Sequence, residues 1–225
     1  MIKNIINLGD AAAYCDFGSE VNQEINSNVI KYFRNLRDQN ILGITNITPS
    51  YNKLIIDQYE ILQKIADGFQ EKVTHIKPHG ALNNMACEDI ELSITLAKVI
   101  QELDKDIIYL VPTGSKMEIA AKKFNMNVAC EIFADRNYEE DGNLVSRKKP
   151  HALITDHEEA KKHVLNMVQN QALNCYSGKK IPCEIDSVCI HGDNISSLAT
   201  ARSIKENLKE NGLVLKSLSS MSKFN

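Results

Sequence analysis

The stretch HIKPHGALNN, residues 75–84, decides how the rest of the chain is read. A β-type apolar run, Val73 to Ile76, delivers Lys77, His79, Asn83 and Asn84 at its end. Pro78 has no N–H to give a ladder, so the strand stops there. Gly80 permits a tight turn or a close backbone approach. Ala81, Leu82 and Met85 then open a helical pattern. Strand, charged turn and helix in that order are how α/β enzymes present chemistry, at the C-terminal ends of strands. The same residues also suit an ordinary β–α connection with solvated charges.

The rhythm continues downstream. A helix is predicted over 88–103, with Ile90, Ile94, Ala97 and Ile100 as its stripe. Strand 107–111 (IIYLV) meets Pro112, and Gly114 opens a helix over 115–124. Strand 127–133 (NVACEIF) runs into the long loop ADRNYEEDGNLVSRKKP. A short strand at 152–154, a helix at 157–170 and a strand at 186–191 follow. A last helix, 196–210, closes at Gly212, a C′ position. Residues 213–217 are predicted as a final strand, and the tail SKFN as loose. Successive β–α units with continuous apolar strands imply α/β architecture on a buried parallel sheet, open or curled into a barrel.

Upstream the pattern differs. Residues 2–8 and 11–18 read as strands of an antiparallel hairpin around Gly9-Asp10. A helix is predicted at 20–39, a short strand at Lys53–Asp57 and a helix near 58–70. The expectation is therefore a small α+β segment, 1–57, ahead of a β/α domain, 58–225.

Composition narrows the function classes. With 43% hydrophobic and 24% charged residues among 225, the chain has material for a sizeable core. A net charge of −3 offers no basic excess for nucleic acid. No apolar run reaches membrane-span length and the N-terminus lacks a signal-peptide core, so a cytoplasmic protein is expected. The six cysteines form no CxxC pair. They read as reduced thiols, with Cys130 and Cys189 as small core residues.

Three strand ends carry polar clusters: Lys77 with His79; Glu131 through Arg136, with Tyr138 and Arg147 downstream; and His191 with Asp193. In a parallel sheet all three emerge at one edge. Lys77 and Arg136 or Arg147 suit a carboxylate or phosphate. His79 and His191 suit general acid–base work. Asp135, Asp193 and Glu131 suit orienting a histidine, binding a divalent metal or positioning water. Blander roles compete: Asp193 as the cap of the last helix, Asp135-Arg136 as a loop ion pair. His157 and His163 read as surface residues, and His75 as structural. No GxxxxGK[ST] or GxGxxG occurs, so a nucleotide needs another device or another chain.

KPHGALNN, EIFADRNYEEDGNLVSR and CIHGDN, in this order and spacing, resemble the LamB/YcsF family over about residues 58–215. That family is the A component of bacterial 5-oxoprolinase. The resemblance implies a deacetylase-like, irregular β/α barrel. It also implies a part in ATP-dependent opening of 5-oxoproline (pyroglutamate) to L-glutamate, with B and C subunits as partners. ATP would be used in the complex, with a divalent metal such as Mg²⁺. Carried over, His79, His191, Asp193 and Asp135 become catalytic candidates. Lys77, Arg136, Arg147, Glu131 and Asn84 become substrate-binding candidates. The chain departs from the pattern at Asn83, where the family has tyrosine, and by lacking the DLNxDxGE and CGFHAGDP segments, so a truncated barrel is expected. Residues 6–57 resemble instead the start of the KipI (allophanate hydrolase subunit 1) family, the B component of the same enzyme. The alternatives are a non-catalytic 5-oxoproline-binding or regulatory module and a decayed fusion remnant.

Overall fold

The apolar runs IIYLV and NVACEIF form the heart of a parallel sheet. The computed structural model describes residues 5–8, 51–191 and 197–225. Its strands are β1 (Ile5–Leu8), β2 (His75–Ile76), β3 (Ile108–Pro112), β4 (Asn127–Phe133), β5 (Ala172–Asn174), β6 (Lys180–Pro182), β7 (Ser187–Cys189) and β8 (Val214–Leu215). Six of them make one sheet in the order β2-β3-β4-β7-β1-β8. Every pairing in it is parallel. Strands β5 and β6 form a separate antiparallel ribbon. The helices are α1 (Tyr51–Asp67), α2 (Gly80–Glu88), α3 (Ile90–Leu103), α4 (Lys116–Lys123), α5 (His157–Asn170) and α6 (Ser197–Glu210). This is the parallel sheet of a truncated β/α barrel. Among the described residues no helix is long and apolar enough to cross a membrane.

Strand alternation sorts the two faces. Tyr109, Val111, Val128 and Cys130 pack with Leu96, Ile100, Met117 and Ala120 from helices α3 and α4. Ile132 and Val188 pack with Val164, Met167, Ile204 and Leu208 from α5 and α6. Leu96 and Ile100 are fully buried, each stabilising the fold by roughly 1.5–3 kcal/mol. The alternate positions Ile108, Leu110 and Ala129 face away from these helices and meet Leu218, Met221 and Phe224. The C-terminal segment thus covers part of the sheet's other face.

Several expectations are corrected. Residues 53–57 are helical, inside α1, not a strand. The run Leu54-Ile55-Ile56 looks β-like alone, but Ile55, Tyr59, Leu62 and Ala66 recur at helical spacing and pack together. An i,i+4 ion pair, Lys53 Nζ to Asp57 at 2.7 Å, reinforces the turn. The junction expected at residue 58 falls within this helix. Strand β1 lies between β7 and β8, parallel to both. The expected strand 11–18 and helix 20–39 lie outside the described residues. Residues 152–154 contribute only an isolated bridge, Arg136 to Leu153. The tail is tied down: Met221 is buried and Lys223 pairs with the buried Asp186 at 2.6 Å.

Local signals explain the element ends. Asp89 accepts hydrogen bonds from the N–H groups of Glu91 and Leu92, which separates α2 from α3. Asp156 caps α5 through the Glu159 N–H. Gly212, at φ +80°, ends α6 as predicted.

Tyr109 carries an awkward group. Its ring is fully buried on β3, and its hydroxyl has no hydrogen-bond partner among the described residues. Burial raises its pKa. A buried unpaired hydroxyl costs about 1–3 kcal/mol. Tyr109→Phe is therefore expected to leave stability unchanged or raise it by up to about 1 kcal/mol, read from the urea midpoint. A loss larger than about 1 kcal/mol would contradict this assignment.

Candidate active site

Lys77, His79, Asp135 and His191 follow strands β2, β4 and β7, Glu131 lies near the end of β4, and the parallel register brings them to one edge. Glu131 lies opposite Pro112 of β3 and Ser187 of β7, and Phe133 opposite Cys189. Glu131 is 1% exposed and Lys77 9% exposed at the side chain, and the two form an ion pair. The Lys77 ammonium also lies 3.4 Å from the Cys189 sulfur and 5.1 Å from the centre of the Phe133 ring. Desolvation opposes the charge on Lys77. Glu131 and then Cys189 outweigh it, so the Lys77 pKa is raised. Burial, with Glu131 next, pushes the Cys189 thiol up to about 12, which makes it a poor nucleophile.

His191 stacks on the other arm of this cluster, 5.8 Å from Phe133 with 17° between the planes. Its Nδ1 lies 2.7 and 2.9 Å from the two Asp135 oxygens. A carboxylate only accepts, so Nδ1 carries the hydrogen and a neutral His191 keeps Nε2 as an acceptor. This is the orienting arrangement of a carboxylate–histidine pair.

His79 precedes α2 in extended conformation and spends no side-chain bond on capping it. Desolvation lowers its pKa, with Lys77, His191 and His75 adding in that order, to about 4. The residue is exposed, so water screens part of this effect. At neutral pH His79 is an uncharged imidazole able to accept a proton.

The remaining expected site residues are placed differently. Arg136 is 6% exposed and turned into the loop, donating to the carbonyls of Val145 (2.8 Å) and Ala152 (3.4 Å). It braces residues 136–152, and Asp135 gives both oxygens to His191 rather than to a neighbouring arginine. Arg147 is exposed and close enough to Arg136 to lower its pKa, after desolvation. It forms no ion pair among the described residues. Asn84 is exposed on α2, whereas Asn83 is buried. Asp193 and its proposed capping role lie outside the described residues.

Sequence reasoning missed Phe133 and Cys189 as parts of the cluster. Their period-two spacing from Glu131 and His191 was the available signal. His163 was misread as a surface residue. Its ring is half-buried and stacks on Tyr138 at 6.4 Å. Its Nε2 is buried without a partner among the described residues. Desolvation, opposed by the Arg136 backbone, lowers its pKa to about 4. The unfolded chain, near 6.5, takes up this proton first as pH falls. Stability from neutral His163 is full above about pH 6.5 and is lost towards about pH 4, by about 3 kcal/mol at most. His163→Phe is expected to flatten that part of the loss in urea titrations at about pH 7 and about pH 5.

Two groupings bear on metals. Cys130, Glu184 and Asp186 bring ligand atoms within 4.8 Å of one another. Lys223 already supplies a cation there, 2.6 Å from Asp186 and 3.3 Å from Glu184. At the candidate site, Glu131 is paired with Lys77 and Asp135 is tied to His191. Among the described residues, then, neither carboxylate is free to give the several oxygens that a hard ion such as Mg²⁺ takes.

A β/α scaffold with acid–base groups at one strand edge is the arrangement on which α/β enzymes carry their sites. The LamB/YcsF family model matches residues 43–223, and the chain belongs to the LamB/YcsF family. The match starts at residue 43, ahead of residue 58. Similar proteins include the A component of 5-oxoprolinase from Rhodopseudomonas palustris, 39% identical over 184 residues, 81% of this chain and 72% of the relative. That of Clostridium beijerinckii is 41% identical over 170 residues, 75% of this chain and 66% of the relative. A solved structure, the lactam utilization protein of Thermus thermophilus, superposes with a TM-score of 0.68 at 29% identity. The alignment covers 74% of this chain and 66% of that one. The chain thus spans about two thirds of the length of such relatives.

Proposed function

We propose that the chain acts as an A-like component of 5-oxoprolinase, opening 5-oxoproline to L-glutamate with ATP hydrolysis, alongside B and C subunits. The observation that carries this reading is the His191–Asp135 pair set beside a neutral His79 and the Lys77–Glu131 ion pair. Lactam opening adds water across the C–N bond. One proton must leave the water and one must reach the ring nitrogen. His191 Nε2 and His79 are the two groups able to take and return protons. Arg147, which has no ion-pair partner among the described residues, is the anchor for the substrate carboxylate. Lys77 supplies fixed positive charge where the carbonyl oxygen becomes negative. ATP enters as a second substrate with its own Mg²⁺, held with the partner subunits.

The N-terminal segment is, in this reading, B-like and fused to an A-like remainder, with the junction nearer residue 43 than residue 58. A non-catalytic 5-oxoproline-binding module is the second reading, favoured by Lys77 and Arg136 being engaged within the chain. Glutamate release from 5-oxoproline, with ATP, Mg²⁺ and intact B and C subunits, separates the two. ATP-dependent release lost on His79→Ala supports the enzyme. Saturable binding without release, while a full-length A component turns over, supports the module.

A further inference from the structure

We propose that Phe133 is a positioning residue for the proton-transfer pair: its ring fixes the plane of the His191 imidazole and that imidazole's distance from the Lys77 ammonium. The inference rests on the reading of His191 and Asp135 given above. One ring touches both groups. His191 stacks on it at 5.8 Å with 17° between the planes, and Lys77 Nζ lies 5.1 Å from its centre. Near-parallel stacking and a cation over a ring face are favourable contacts that an aliphatic side chain does not offer. Asp135 alone leaves the imidazole one freedom. Its oxygens hold Nδ1 at 2.7 and 2.9 Å, yet the ring can still turn about that hydrogen-bond axis. Such a turn re-aims the Nε2 lone pair. A flat neighbour against the imidazole face opposes it.

Phe133 is itself held. The ladder between β3 and β4 ends at Glu131, which lies opposite Pro112. The Phe133 N–H lies beyond it and donates instead to the Tyr138 hydroxyl at 2.7 Å. On the β7 side Phe133 is paired with Cys189, and the next N–H, of Ala134, donates to the Cys189 carbonyl at 2.9 Å. Tyr138 is fully buried and stacks on His163, so its hydroxyl is a fixed acceptor. Phe133 is buried too, and close packing leaves its ring one orientation. Filling the core does not require an aromatic group here. The other buried apolar residues of β4 are Val128, Ala129, Cys130 and Ile132. The ring stands at the one position of the strand where it meets His191 and Lys77 together. A supporting group of this kind matters because a misplacement of about 1 Å in a reacting group costs about 10²-fold in rate.

The test begins with the full chain alone, by proton NMR. A nuclear Overhauser contact between the Phe133 and His191 ring protons is expected. The His191 ring signal, identified by its loss in His191→Gln, is expected upfield of that of the exposed His157. Phe133→Leu is expected to move the His191 signal downfield, with a urea transition showing that the variant is folded. In the mixture with B and C subunits, Phe133→Leu is expected to lower kcat by about 10- to 100-fold with KM within about twofold. Phe133→Tyr, which keeps the ring face, is expected to recover most of that loss. No contact in the wild type, an unmoved His191 signal in folded Phe133→Leu, or wild-type kcat in that variant overturns the proposal. A wild type that shows the contact but releases no glutamate leaves the positioning of His191 standing and removes the enzyme reading.

Discussion

Lys77→Met is expected to destabilise the chain by about 3–5 kcal/mol and to abolish turnover in the assembled enzyme. The reason is Glu131. Its carboxylate is 1% exposed on β4, with Lys77 as its ion-pair partner. Removing the ammonium strands a buried charge, and that cost exceeds what the intact pair contributes to stability. The double variant Lys77→Met/Glu131→Leu is accordingly expected to recover most of the lost stability while staying inactive. Because the Lys77 pKa is raised, the pair's stabilisation is complete at neutral pH and is lost only as pH climbs past the ordinary lysine range. Urea midpoints for the two variants and the wild type decide the matter. A single variant within about 1 kcal/mol of wild type would show that Glu131 has another partner or is already neutral. The contrast matters for function, since a lysine buried in an ion pair supplies field rather than a mobile ligand hand.

Much of the fold was legible because buried parallel strands write themselves as short apolar runs closed by Pro or Gly. Pro78, Pro112 and Gly212 marked element ends correctly. The strand-end clusters were legible for the same reason, since parallel strands put their C-terminal ends together. Pairings across the sheet were not. Lys77 and Glu131 are 54 residues apart, and only the register of β2, β3 and β4 makes them neighbours. The role of Arg136 depended on where its loop folds back, and no local pattern encodes that. The first turns of helix α1 were misread as a strand because Leu54, Ile55 and Ile56 satisfy a strand template over a short window. Only the longer window through Ala66 shows the helical period of about 3.6 residues. The tail misled through its polarity: Met221 and Phe224 are sparse among serines, yet they cover Ile108 and Leu110.

Asp135→Asn is expected to lower kcat by about 10²- to 10⁴-fold with little change in stability. Both oxygens of Asp135 face His191 Nδ1 at 2.7 and 2.9 Å, and the residue is partly open to solvent, so no buried charge is stranded by the change. An asparagine amide offers one oxygen and one NH₂ to the same nitrogen. It no longer enforces the Nδ1–H tautomer, and Nε2 loses its steady role as acceptor. The pH profile distinguishes the two histidines. His79, held near 4, stays neutral through most of the acid range. If His79 is the base, the acid limb of kcat/KM lies at about pH 4 to 5 and keeps its position in Asp135→Asn while the plateau falls. If the limb moves or disappears in Asp135→Asn, His191 is the base and His79 serves as a neutral donor. Full turnover in Asp135→Asn would remove the pair from the mechanism. The active groups would then have to be sought among His79 and the residues that follow His191.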